Sequence, residues 1–176
     1  MSRLKKVIRN IIVLIILFFL FLKSSGLYIS PLAAHESSER SIHYGPSQVI
    51  HIEDFDDGKY ILGKYDKWVS CNTVHRELFF LWRFGNQPIG IENDKTKPIT
   101  YSWGSSYPYN RLYGIINDAN IKKVEITLDD GRVLTQTKFY DYLFLFAWKS
   151  PNEGNTFFKH IKGYDSDNNV IFDDGR

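Results

Sequence analysis

Apolar residues are distributed along this chain in two distinct ways. From Ile11 to Leu22 they run without a break, and beyond about Gln48 they come in short runs separated by Gly, Asp and Asn. The clearest short run is IKKVEITL. Val124, Ile126 and Leu128 point one way and Lys123, Glu125 and Thr127 the other, the period of a half-buried strand. Asp130-Gly131 then predicts a hairpin turn, because glycine accepts the positive φ that a strand-matched turn needs. Val133, Thr135, Thr137 and Phe139 alternate with Leu134, Gln136 and Lys138 in the return strand. DYLFLFAW (141–148) and ELFFLWRF (77–84) are apolar on both faces and are expected as central strands covered on two sides. FFKHIKGY (157–164) and NVIF (169–172) predict a closing hairpin, and VIHIE and KYILGKY two earlier strands. A short helix is allowed within 66–78, around SCNTVHRE. No segment holds an apolar helical stripe for three turns. The expected fold is therefore mainly β, an antiparallel sandwich or partly open barrel behind a single N-terminal membrane helix.

The leader changes the picture of where that fold sits. Arg3, Lys5, Lys6 and Arg9 precede the apolar run and Lys23 follows it, with no acidic residue before Glu36. Basic residues before an uninterrupted apolar stretch are the pattern of a membrane-targeting element. As a helix, Ile11 to Leu22 spans about 18 Å, short of a hydrocarbon layer of about 30 Å. Val7, Ile8 and Leu27 to Ile29 can lengthen it, and Pro31 is expected to end it. Ser24 and Gly26 are small enough for cleavage after Gly26, so an uncleaved anchor is favoured and a cleaved signal stays open. The boundaries read as a signal-anchor or transmembrane segment at 1–34, a Ser-, Glu-, Gly- and Pro-rich spacer at 35–47, and an extracellular β-domain at 48–176. Basic residues remain inside, which places that domain across the cell membrane, or secreted if the leader is cut.

Formal net charge is +2, yet the leader holds five of the 22 basic residues and the rest is mildly acidic. Such a surface offers no cationic stripe to a phosphate backbone, so nucleic acid is not an expected partner. Cys71 is the only cysteine, which excludes an intrachain disulfide and leaves the core to hold the fold.

Candidate chemistry is sparse. Asp165, Asp167 and Asn169 in GYDSDNNVIFDDG alternate like calcium ligands. Val170 stands where a calcium loop needs glycine and Arg176 where it needs glutamate, so the segment reads as a turn between strands. The DDG triplets at 56, 129 and 173 likewise read as repeated turn chemistry. His35 and Glu36 begin a zinc-protease pattern that lacks its second histidine. Cys71 and His75 stand about 13 Å apart if they share a strand, too far for a nucleophile and its base. Ser105 in WGSSY lacks the setting of a nucleophile elbow. No catalytic residue, metal ligand or cofactor is therefore assigned. The candidate ligand-binding residues are Tyr101, Trp103, Tyr107, Tyr109 and Tyr113, five aromatics on turn-rich sequence. Flat rings with polar tips suit a sugar or peptide, and the competing reading places them in the core.

The run LYGIINDANIKKVEITLDDGRVL, followed by DYLFLFAW and IKGYDSDNNVIFDD, resembles small uncharacterised exported proteins of Bacillus-type Gram-positive bacteria. The resemblance spans about residues 112–174 and implies a membrane-anchored or secreted location and a C-terminal β-region, with no catalytic residue. The expected function is a non-enzymatic binding or interaction module at the cell surface. Its partners would be the membrane, through the N-terminal helix, and a cell-surface protein or polysaccharide. A carbohydrate- or peptide-binding module using the 101–113 aromatics, an immunity or envelope-stress protein, and a hydrolase with an unrecognised site are the alternatives.

Overall fold

The computed structural model describes residues 3–85, 90–151 and 154–175. Helix α1, Arg3–Ser25, carries apolar side chains on every side, and those from Ile11 to Phe21 are each 41–65% exposed. Apolar all round and uncovered from Ile11 to Phe21, this helix is long and apolar enough to span a membrane or to serve as a signal sequence. It ends at Gly26, whose φ of +63° is the left-handed geometry of a helix C-terminus, and the Leu27 amide closes on the Leu22 carbonyl at 3.1 Å.

The segment expected as an irregular spacer instead forms most of a second helix, α2, Pro31–Ser41. Pro31 starts this helix and does not end the first. Ser30 has extended backbone and its Oγ accepts the Ala33 amide at 3.1 Å, while proline at the first helical position loses no hydrogen bond. The pattern of apolar residues missed this helix because its buried side is largely polar: Ala34 is joined there by His35, Ser38 and Glu39.

The chain divides into two compact units whose segments interleave. One takes Met1–Pro46, Glu53–Tyr60 and Asn72–Gln87, and the other takes Ser47–Ile52, Ile61–Cys71 and Pro88–Arg176. Strands β1 (Gln48–Phe55), β2 (Gly58–Tyr65), β3 (Trp68–Leu78) and β4 (Leu81–Phe84) pair in chain order, and β5 (Ile91–Glu92) pairs with β3. Two expectations change here. SCNTVHRE is strand throughout, and Val69 to Val74 is buried without interruption, so β3 is a central strand covered on both faces. ELFFLWRF is not one strand: the chain turns at Phe79, whose φ is +42°, and leaves Phe79 and Phe80 exposed at the tip.

In the second unit, strands β6 (Ile99–Ser106), β7 (Tyr109–Ile116) and β10 (Leu143–Lys149) form a sheet in the order β10-β7-β6. Strands β8 (Lys123–Leu128), β9 (Val133–Gln136), β11 (Phe158–Tyr164) and β12 (Val170–Gly175) form another in the order β12-β11-β8-β9. All these pairings are antiparallel. The two sheets enclose one apolar core in which Leu112, Phe144 and Phe146 meet Val124, Ile126, Leu128 and Ile161. This is the mainly β, sandwich-type architecture that the alternation predicted. Phe144 and Phe146 face this core, whereas Leu143 and Leu145 are buried on the opposite face of the same strand, so DYLFLFAW is covered on two sides as expected but stands at the end of its sheet and not at its centre.

Candidate functional site

The β6–β7 hairpin distributes the five candidate aromatics by strand alternation. Tyr101 and Trp103 pair with Gly114 and Leu112 and face the core, half buried, with their rings edge-on to Phe158 at 5.8 and 6.2 Å. Tyr113 faces the opposite way and is buried. Tyr109 shares that opposite face at the strand end, where the Lys149 ammonium lies 5.3 Å from its ring centre. Tyr107 is exposed at the turn. The hairpin therefore brings Tyr101 and Trp103 together and separates them from the other three.

Tyr101 gains its significance from a strand far along the chain. Among the described residues, strands β6 and β12 each stand at an end of their sheets. An open groove of about 520 Å³ is lined by Lys97, Ile99, Thr100 and Tyr101 on one side and Phe172, Asp173 and Asp174 on the other. The Tyr101 hydroxyl donates to Asp174 Oδ2 at 3.0 Å. Asp173 receives Lys162 at 3.4 Å and His160 at 3.7 Å. Asp173-Asp174-Gly175 is thus strand and not turn, a correction to the repeated-turn reading: the pairing of Asp174 with Ile161 and Asp173 with Lys162 holds it extended. The other two DDG triplets lie at the β1–β2 and β8–β9 turns, with Asp56 and Gly131 at positive φ.

A second depression, of about 280 Å³, carries Lys64, Lys67 and Lys95 beside Trp68 and Asn93. Its charge is offset, since Lys64 pairs with Asp141 at 2.6 Å and Lys67 with Glu92 at 2.7 Å. The β6–β12 groove combines ring surface with two carboxylates.

The acidic segment 165–169 is the β11–β12 turn. Asp165 Oδ1 accepts the amides of Asp167 at 2.8 Å and Asn169 at 2.9 Å, and its Oδ2 accepts the Asn169 side chain at 3.0 Å. The Asn169 side-chain and backbone donors hold the Asp165 carboxyl below the usual carboxylate range. Both oxygens are directed at the turn's own donors. Cys71 is buried and His75 only half-buried, with both on β3 at strand spacing. Ser105 lies within β6.

The composition of the supposed spacer concealed a buried polar cluster. His35 and Glu39 stand one turn apart on α2, with His35 Nε2 3.3 Å from Glu39 Oε1. Asn72 Nδ2 lies 2.9 Å from His35 Nδ1. The amide donates there, so the imidazole proton sits on Nε2 and points at Glu39. Burial pushes the His35 pKa down against the opposing pull of Glu39 and Glu36. All three residues are at most 3% exposed, and none lines a described depression. A His and a Glu four residues apart behind a Ser-Pro cap was the signal available in sequence. Elsewhere, Arg111 is buried on the Tyr113 face and donates to the Cys71 carbonyl at 3.2 Å, a role no motif announced.

Compared with known proteins, the chain matches no family model, no curated protein and no solved structure, and the reading of its site rests on its own residues.

Proposed function

We propose that this chain is a membrane-anchored, extracytoplasmic binding module that takes a polysaccharide chain in the β6–β12 groove. The observation that carries the reading is the composition of that groove. Tyr101 and Phe172 offer ring surface to the apolar face of a sugar, while Asp173 and Asp174 offer acceptors to its hydroxyls. Tyr101 is already held by Asp174 and packed on Phe158, so little freedom is lost on binding. A hydrolase reading gains nothing from the His35, Glu39 and Asn72 cluster, whose members are closed off from solvent.

Retention of the leader is supported by packing across the point of possible cleavage. Leu22, before Gly26, and Leu27, after it, bury themselves together with Leu81. Cleavage after Gly26 would remove Leu22 and uncover the other two.

Titration of the full chain in nanodiscs with soluble cell-envelope polysaccharides tests the binding role. Asp174→Asn, at an exposed position, is expected to weaken binding about tenfold, the effect of roughly 1.4 kcal/mol. Tyr101→Ala should weaken it further, and Tyr107→Ala should leave it unchanged. Absence of saccharide binding, or binding indifferent to both groove variants, overturns the proposal.

A further inference from the structure

The β3–β4 hairpin exposes its most apolar residues. Leu78, Phe79 and Phe80 are 53%, 91% and 60% exposed, consecutive, and at the tip of the hairpin. Scattered apolar residues on a surface need no explanation, but three in a row with two phenylalanines do.

Their position relative to α1 supplies one. Leu81, the residue after this tip, packs with Leu22, the last residue of the uninterrupted apolar run, and with Leu27. Tyr28 and Trp82 then exchange two backbone hydrogen bonds of 2.8 Å, fixing the hairpin to the chain that leaves the helix. Phe80 and Phe79 precede Leu81 by one and two residues, a chain length of about 7 Å at most, so the tip stays close to the end of α1. Lys23, the next residue of α1, is the first charge after the apolar run.

The residues just behind the tip fit a lipid headgroup layer. Tyr28, half-buried beside the buried Trp82, is a residue type that collects at membrane interfaces. Arg76 and Lys59 lie 5.2 and 5.7 Å from the Trp82 ring, bringing two cations to the same level. Glu77 next to the tip is neutralised by Arg83 at 3.1 Å.

We propose that Leu78, Phe79 and Phe80 form a second membrane contact, dipping into the leaflet beside the end of α1. The occupant of this apolar tip is lipid, because Leu81, the next residue, packs on Leu22 at the end of the apolar run and so holds the tip beside the exposed apolar surface of α1. The inference rests on α1 being a retained membrane helix. The shallow wedge would fix the orientation of the first unit on the bilayer, which one helix alone leaves free to swivel.

The test uses the full chain in liposomes, with a polarity-sensitive fluorophore on a thiol introduced by Phe79→Cys or, separately, Ile15→Cys. Cys71 is buried, and the parent chain serves as the labelling blank. Phe79 is nearly fully exposed, so its replacement leaves the fold intact. The expected result is blue-shifted emission at 79, quenched at least twofold by lipids spin-labelled near the headgroup and protected from aqueous iodide. Water-like emission at 79 with lipid quenching at 15 overturns the tip proposal while the anchor stands. No lipid quenching at 15 overturns the anchor reading and this proposal with it. Blue-shifted emission at 79 without lipid quenching means that protein covers the tip, and equally overturns it.

Discussion

Single residues show how closely the second unit is packed. Phe144 is fully buried, crosses Gly114 on the neighbouring strand, and lies 5.9 Å from Phe146. A Cβ built on Gly114 would stand 2.7 Å from the Phe144 ring and 2.3 Å from the Thr100 carbonyl, so the missing side chain is what admits the ring. Phe144→Ala is expected to cost about 3–5 kcal/mol, the range for a buried aromatic lost to a cavity. Lys123 occupies the polar face of its strand, yet its ammonium lies 3.9 Å from the Tyr164 ring and donates to Asn168 Oδ1 at 2.9 Å. Alternation alone would make Lys123→Ala silent. The ring contact raises its expected cost to about 0.5–1 kcal/mol. Urea melts of the two variants check both values, and equal small losses would mean that β10 is not the core strand described. The difference between these residues was half legible: alternation identified which side each faces, but not the cross-strand ring above Lys123.

At the scale of elements, what sequence revealed depended on whether burial was apolar. DYLFLFAW was readable because both faces of β10 are covered and nearly every residue is hydrophobic. Strand β3, likewise covered on both faces, was not, since its buried stretch includes Ser70, Asn72 and Thr73, and ELFFLWRF took its place in the reading. That segment carries its apolar residues at a tip instead of in a core. Helix α2 was hidden for the same reason, because it docks through His35 and Glu39. That docking has a pH signature. Burial holds His35 below its ordinary pKa of about 6.5, so the unfolded chain binds the extra proton first. Stability is then complete above about pH 6.5 and falls as pH drops below it, by at most about 1.4 kcal/mol per pH unit. Melting of the full chain at pH 7.5 and 5.5 should show the loss, and His35→Gln, which keeps a donor towards Glu39, should remove the part due to this site. A parent protein equally stable at both pH values would mean that His35 is charged in the folded state.

Over the whole molecule, apolar surface serves two ends. In the second unit it is turned inward between two sheets, and in the first it is turned outward along α1. Periodicity separated these uses at once, since a period of two and an unbroken run are different patterns. It could not pair strands distant in sequence. The groove between β6 and β12 joins residues more than 70 positions apart and was reached only through Tyr101, one of five candidates. For an α1 that spans a membrane, charge sets the expected orientation. Arg3, Lys5, Lys6 and Arg9 precede the apolar run and only Lys23 follows it closely, so the start of the chain is expected on the cytoplasmic side and everything after α1 on the other. Protease added to intact protoplasts should remove the β-region and leave a membrane-bound fragment that includes α1. Moving the charge tests the cause: replacing Arg3, Lys5, Lys6 and Arg9 with Gln, and adding Lys at Ser24 and Ser25, should increase the protected fraction at least severalfold. Complete protection of the parent β-region would reverse the topology and leave the β6–β12 groove facing the cytoplasm. Release of the β-region into the medium without protease would show cleavage at the leader and remove the anchor from under both proposals.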